Sequence, residues 1–314
     1  MGLMQKGLLW ASQNETLRTR LPRYRFVRRA VRKFMPGETI EDALGAARSF
    51  AGQGLPTTLT QLGENVTTAD EADAVVRHYL DVLARVSGLG LDTEISVKLT
   101  HMGLDFDPEL TYRNTERLAA RARDLGNWLW IDMEASPYVE ATLRLYRRLS
   151  ADFPHVGVCL QAYLRRTASD IDSLPTGGGI RLVKGAYRES PSLLVGPKRA
   201  VDESYFDLAQ TLALPARQGS QRLALATHDL ELIGRIEQAA NHAGAGRDAY
   251  EIQMLYGIRH ADQFRLLGQG YRVRTLIAYG SSWYPWYLRR LAERPTNLFF
   301  VARNLFGKAP AATS

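Results

Sequence analysis

Two adjacent arginines, Arg289 and Arg290, stand in the run Trp286-Tyr-Leu-Arg-Arg-Leu-Ala-Glu-Arg-Pro295, just after the last of eight strand-like runs. A guanidinium gives planar, bidentate hydrogen bonds that a lysine ammonium cannot match, so such a pair suits the anchoring of a small carboxylic acid. The same residues fit a solvated helix face, with Glu293 pairing Arg289 at i,i+4. Other chemically capable side chains fall where the earlier runs end: Glu64, Lys98, Asp132, Glu134, Gln161, Arg181, Lys184, Thr227, His228, Gln253 and Tyr279, with Leu255 among them. Each has a structural use of its own. Lys98 and Asp132 can simply pair, and His228 can be a satisfied core histidine. Their convergence is what points to a site.

The elements that must position these residues alternate along the chain. Short apolar or alternating runs at Leu55–Leu62, Thr93–Leu99, Trp128–Met133, Val156–Gln161, Ile180–Lys184, Arg222–Thr227, Tyr250–Leu255 and Arg272–Ile277 read as strands. Between them, Glu71–Arg85, Tyr112–Leu125, Tyr138–Leu149, Tyr205–Leu212, Leu230–His242 and Ile258–Gly268 carry helical periodicity. Eight such strands with intervening helices predict a (β/α)8 barrel of TIM type, whose reacting groups sit at the C-terminal strand ends. An open doubly wound sheet would place a glycine-rich turn after its first strand, where Leu62-Gly-Glu-Asn65 has one glycine. Gly244-Ala-Gly246 precedes a strand and is wrongly placed for dinucleotide binding. Residues 1–50 are expected to form a helical arm, with Thr39 as the N-cap of a helix, residues 51–304 the barrel and 305–314 a tail.

Composition narrows the function classes. Of 314 residues, 45% are hydrophobic and 23% charged, which is ordinary for a globular chain, and the net charge of +7 favours an anionic partner. The basic stretch between Arg18 and Lys33 is interleaved with Leu21, Phe26, Val27, Val31 and Phe34. It reads as an amphipathic helix that either packs on its own domain or touches an anionic membrane surface. No nucleic-acid motif is present. No run approaches the ~20 apolar residues of a membrane span, and the start lacks the layout of a signal peptide or a myristoylation site. The single cysteine, Cys159, in an apolar run, suggests a core residue and a cytoplasmic setting. Metal-ligand spacing is lacking, so no metal is expected. Lys98 and Lys184 at strand ends leave Schiff-base lyase chemistry open.

Taken together, Ser96-Val-Lys-Leu99, Ile131-Asp-Met-Glu134, Leu160-Gln161, Ile180-Arg-Leu-Val-Lys-Gly-Ala-Tyr187, Ala226-Thr-His228, Gln253-Met-Leu-Tyr-Gly257 and Tyr287-Leu-Arg-Arg-Leu-Ala-Glu-Arg-Pro-Thr-Asn297 resemble the proline dehydrogenase family, in the family's order, from about Gly37 to Asn304. The resemblance implies a barrel that holds FAD non-covalently and oxidises L-proline to 1-pyrroline-5-carboxylate, passing electrons to a quinone at the membrane surface. It implies that Met133, Gln161, Arg181, Lys184, Gly185, Ala186, Thr227 and His228 bind the flavin, with Arg181 near the N5 edge. It further implies that Lys98, Arg289 and Arg290 hold the substrate carboxylate, that Asp132 lies beside Lys98, and that Leu255 and Tyr187 form the apolar wall. The last helix would lie over the barrel mouth, capped by Ser281 or Ser282.

One departure stands out. Where the family has Tyr-Val-Pro-Tyr-Gly after strand eight, this chain has Leu276-Ile-Ala-Tyr-Gly280, so Leu276 replaces the tyrosine beside the substrate ring. A ring-substituted proline is therefore a candidate substrate along with proline. The chain is too short for a fused aldehyde dehydrogenase, so oxidation of the product is expected from a separate protein. A Schiff-base lyase and a basic, non-enzymatic binder of nucleic acid or lipid are the alternative readings.

Overall fold

The computed structural model describes residues 31–293, and side chains as far as Leu288. Most of the expected N-terminal arm, the C-terminal tail and the Arg289 and Arg290 side chains lie outside that range. Eight parallel strands close a barrel in chain order: β1 (Thr57–Gln61), β2 (Thr93–Val97), β3 (Leu129–Ile131), β4 (Val156–Gln161), β5 (Gly179–Val183), β6 (Arg222–Ala226), β7 (Glu251–Leu255) and β8 (Arg272–Tyr279), with β8 pairing back onto β1. All eight expected strands are present. β8 runs two residues beyond its apolar stretch because Thr60 and Gln61 of β1 pair with Ala278 and Tyr279.

Helices cover the barrel, and four of them start at a side chain that satisfies otherwise unpaired N–H groups. α1 (Ile40–Ala51) begins at Thr39, whose hydroxyl accepts from the Asp42 N–H while the Asp42 carboxylate accepts in return. α2 (Ala69–Gly88) begins at Thr68 and buries Ala72, Val75, Val76, Tyr79, Val82, Leu83 and Val86, a stripe at helical spacing. Burying each large apolar side chain of that stripe contributes about 1.5–3 kcal/mol. Asp107 caps α3 (Pro108–Asp124), where the proline takes a position that needs no N–H donor. α4 (Val139–Ser150) follows β3, and α5 (Thr167–Asp172) follows β4. α5 was not expected, since six residues burying only Thr167 and Asp170 leave no apolar period. α6 (Lys198–Arg217) continues past its expected end through Pro215, which has no N–H to bond the Thr211 carbonyl one turn back. Asp229 caps α7 (Leu230–His242), and α8 (His260–Gly268) precedes β8.

The last helix, α9 (Trp283–Glu293), is seated at the C-terminal rim. Trp283, Tyr284, Trp286, Tyr287 and Leu288 bury themselves with Leu62, just beyond β1, with Ala278, the last residue but one of β8, and with Val31 and Met35.

Side chains that hydrogen-bond between non-neighbouring strands must cross the lumen, and this sorts inward from outward positions. Arg274 of β8 and Arg222 of β6 both reach Glu94 of β2, at 3.3 and 2.6 Å, and both reach Glu251 of β7 at 3.1 Å. Trp130 donates its indole N–H to Glu94 at 2.7 Å. A Cβ on Gly157 would lie 2.4 Å from that indole, so the neighbouring strand must carry glycine there. These four paired charges and the indole close the N-terminal end of the barrel. A cavity of about 730 Å³ opens outside this plug, lined in part by Trp128, Arg222 and Arg272, at the end opposite the candidate site.

Candidate active site

Strand alternation carries the inward face up from the plug to the C-terminal mouth. On β2 it runs Glu94, Ser96 and then Lys98. On β3 it runs Trp130 and then Asp132. On β8 it runs Arg274, Leu276 and Ala278. Lys98 Nζ donates to Asp132 Oδ2 at 2.9 Å, Ser96 Oγ donates to Asp132 Oδ1 at 2.7 Å, and Arg181 Nη1 reaches the same Oδ1 at 3.1 Å. Arg181 Nη1 also donates to Ser96 Oγ at 2.8 Å. The Arg181 guanidinium lies 4.5 Å from the centre of the Trp130 ring, a cation–π contact on the upper face of the plug.

Electrostatics lock this group in its charged form. Burial favours neutral Asp132, but the Lys98 and Arg181 charges outweigh it and hold the carboxyl below its usual range. Burial likewise works against the Lys98 ammonium, and the Asp132 charge overcomes it, so its pKa is raised. A lysine so paired is no neutral amine nucleophile. Lys184 is ion-paired too, bridging Asp202 at 2.5 Å and Asp229 at 2.8 Å. The lysine chemistry of a Schiff-base lyase has no support in this arrangement.

The remaining strand-end residues divide. Gln161 is buried and turns its amide N–H toward the Glu134 carbonyl at 3.2 Å, leaving its own Oε1 buried without a hydrogen bond. Thr227 is buried and accepts from the Asp229 N–H, while His228 is half-buried beside it. Met133 is buried, and Lys184, Gly185, Ala186 and Tyr187 form a half-buried turn after β5. Gly185 takes φ +114°, and a Cβ there would lie 2.3 Å from the Tyr163 ring, so this close turn needs glycine. Tyr279 belongs elsewhere: it faces the helical layer and bonds His78 of α2 at 2.7 Å, because it is one residue out of phase with Ala278. Arg181 lies in the middle of β5 and not at its end, one layer below Lys98.

Three residues near the site were not singled out by sequence. Ser96 was detectable, since it stands two residues before Lys98 on a strand and must share its face. Tyr79 inserts its hydroxyl where the β1–β2 ladder parts, accepting from Gln61 N–H and donating to the Ser96 carbonyl, both at 2.9 Å. His101 packs its ring on Gly63. Burial, reinforced by nearby Lys98, pushes it down to about 4. Neither Tyr79 nor His101 carries a sequence signal, because both depend on tertiary contact.

Loops around the mouth are tied to one another. Tyr138 donates to Asp105 at 2.7 Å, and Asn65 donates to Asp105 and Tyr138 at 2.8 and 3.2 Å. The Ser136 N–H and hydroxyl donate to Glu189 beyond β5. These contacts join the loops after β1, β2, β3 and β5 into one rim.

The family model for proline dehydrogenase matches residues 43–303. The chain belongs to the proline dehydrogenase family. Proline dehydrogenase 2 of Bacillus subtilis is 35% identical over 280 residues, covering 89% of this chain and 91% of that protein. Proline dehydrogenase of Deinococcus radiodurans is 33% identical, covering 87% and 89%. Members of this proline dehydrogenase family oxidise proline, and this chain is such an enzyme. The crystal structure of proline utilization A from Bdellovibrio bacteriovorus, inactivated by N-propargylglycine, superposes with a TM-score of 0.79. It covers 96% of this chain and 40% of that one at 21% identity, a likeness of fold.

Proposed function

We propose that the chain is an FAD-dependent dehydrogenase of L-proline or a ring-substituted proline, and that the Lys98–Asp132–Ser96–Arg181 network is the floor of its active site. The observation that carries this reading is the Arg181 guanidinium. It is 2% exposed and inside the barrel, and its Nε and Nη2 donors have no hydrogen-bond partner. Unpaired buried donors on a charged group cost about 1–3 kcal/mol or more, so they call for an acceptor in the lumen. Gln161 Oε1 is a buried, unpaired acceptor on the next strand.

These residues fit a flavin, whose ring edge carries both acceptors and an N–H donor. Arg181, Gln161, Met133, Thr227 and His228 would hold it, with Lys184, Gly185 and Ala186 along the turn after β5. Above Arg222 the inward residues of β6, Ala224 and Ala226, are small and leave room for a flat ring. FAD, when bound, supplies the acceptor for a hydride leaving the substrate carbon beside nitrogen.

The chain's own residues do the positioning. Lys98 presents its ammonium at the mouth, braced by Asp132, to one side of the substrate carboxylate. Arg289 and Arg290 on α9 would take the other side, and Leu255, Leu276 and Tyr187 would enclose the ring. Such a clamp converts binding energy into orientation, which is the protein's largest contribution to a reaction whose chemistry the cofactor carries. Asp132, saturated by three donors, orients Lys98 and is not placed to accept the substrate's proton. Electrons would pass to a quinone, with the basic N-terminal arm touching the membrane surface from the cytoplasmic side. A separate dehydrogenase would consume 1-pyrroline-5-carboxylate.

The direct test is turnover of L-proline by the FAD-loaded chain with a soluble quinone, the cyclic imine being measured as product. Formation of the imine supports the reading. A loaded chain that forms none from proline or 4-hydroxyproline contradicts it.

A further inference from the structure

Arg181 and Asp132 would by themselves form a forked pair, since a guanidinium and a carboxylate meet most favourably through two parallel hydrogen bonds. They do not. Only Nη1 touches the carboxylate, and the two remaining functional nitrogens, Nε and Nη2, stay unpaired. Ser96 explains why: its hydroxyl lies between them, accepting from Nη1 at 2.8 Å and donating to Oδ1 at 2.7 Å. Lys98 occupies the other carboxylate oxygen. Ser96 thus holds Nη1 and occupies the approach to Oδ1 that a second guanidinium donor would otherwise use.

We propose that Ser96 is a positioning residue whose hydroxyl keeps Arg181 from collapsing into a bidentate pair with Asp132, so that Nε and Nη2 stay presented to the acceptor bound in the lumen. The inference rests on the flavin reading above. Ser96 is well placed for this. It is fully buried, its backbone carbonyl is held by Tyr79, and its strand position sets it between the plug and Lys98. The Trp130 ring lies against the guanidinium carbon, 4.5 Å from its centre, and the Ser96 hydroxyl fixes Nη1.

Ser96→Ala and Ser96→Thr, each loaded with FAD and compared with the parent, test the idea. In the alanine variant Arg181 is free to turn one more donor onto Asp132. Its flavin content should match the parent's, while the visible flavin spectrum and reduction potential shift. The limiting rate of anaerobic flavin reduction by proline should fall about tenfold, equivalent to about 1.4 kcal/mol. The concentration of proline giving half that rate should stay within about threefold, because carboxylate binding is not what the hydroxyl serves. Ser96→Thr keeps the hydroxyl and should recover the spectrum and most of the rate. If the added methyl prevents folding, the alanine variant decides alone.

A structural role without positioning predicts a lower melting temperature with an unchanged spectrum, potential and limiting rate. That result in Ser96→Ala overturns the proposal and leaves the flavin reading intact. A parent chain that takes up no FAD overturns both.

Discussion

Leu276 on β8 stands directly across the ladder from Leu255 on β7, and strand alternation points both into the lumen. Arg274, two residues below, reaches through the lumen to Glu94, while Thr275 between them bonds Gln263 of α8 outside the barrel. Leu276 is half-buried although Thr275 and Ile277 on either side are buried, so it meets open space on the lumen side.

On the proposed function, this placement would make Leu276 a determinant of ring specificity. An aliphatic side chain there, in place of the tyrosine of the family pattern, leaves space and removes a hydroxyl. Proline is expected to be turned over weakly, with relaxed acceptance of 4-substituted prolines. Leu276→Tyr should shift preference toward proline by about 1–3 kcal/mol in relative kcat/KM, the scale on which pocket shape discriminates. Measuring proline against 4-hydroxyproline in both proteins checks this. An unchanged ratio would mean that Leu276 does not meet the substrate.

The clamp is tested at α9. Arg289→Met or Arg290→Met should weaken substrate binding by about 2–5 kcal/mol, the cost of leaving a charge without its partner. Flavin content should be unaffected. Substrate affinity retained in either variant would assign that arginine to the solvated helix face, with Glu293 as its partner.

Glu134 predicts a pH dependence of stability. Burial pushes its carboxyl up to about 7, against hydrogen bonds from the Thr100 hydroxyl and N–H that pull it down. Since the folded value exceeds the unfolded one near 4.5, the fold favours the neutral acid. Its contribution is complete below about pH 4.5 and is lost as the pH rises through about 7, on the order of 3 kcal/mol in all. Glu134→Gln should remove most of that loss. Urea unfolding at pH 5 and pH 8 reads it directly: the parent should weaken more between the two than the variant does, and equal slopes would show that Glu134 is ionised throughout.

Tyr79→Phe should destabilise the fold by about 1–3 kcal/mol, because the Gln61 N–H and the Ser96 carbonyl are both left without a partner in a buried site. The loss should be seen as a lower urea midpoint at an unchanged slope. A midpoint equal to the parent's would mean that water replaces the phenol between β1 and β2.

Much of this was legible in the sequence, for reasons visible in particular residues. Val156–Leu160 is an apolar run that follows Pro154, and Gln161 closes it, so the expected limits of β4 match the observed ones. The Thr39 cap was readable because a capping hydroxyl and an acidic first turn are local signals. Pro215 concealed the end of α6, since proline ordinarily signals a helix stop and here stands inside the last turn. In the site, Lys98 and Asp132 were expected as neighbours, and they are bonded. The plug below them was not anticipated: Glu94, Arg222, Glu251 and Arg274 lie on four strands, and only closure of the barrel reveals that their charges meet. Ser96 was overlooked because a serine in a strand looks like any polar residue until its two partners are in place.

Flavin binding is read from the visible spectrum of the purified chain after incubation with FAD and removal of the excess. A chain that binds FAD is expected to be yellow, with about one flavin per chain, bleached by L-proline or 4-hydroxyproline in the absence of oxygen and restored by a quinone. A folded chain that stays colourless after reconstitution, or a bound flavin that neither substrate reduces, would contradict the proposed function.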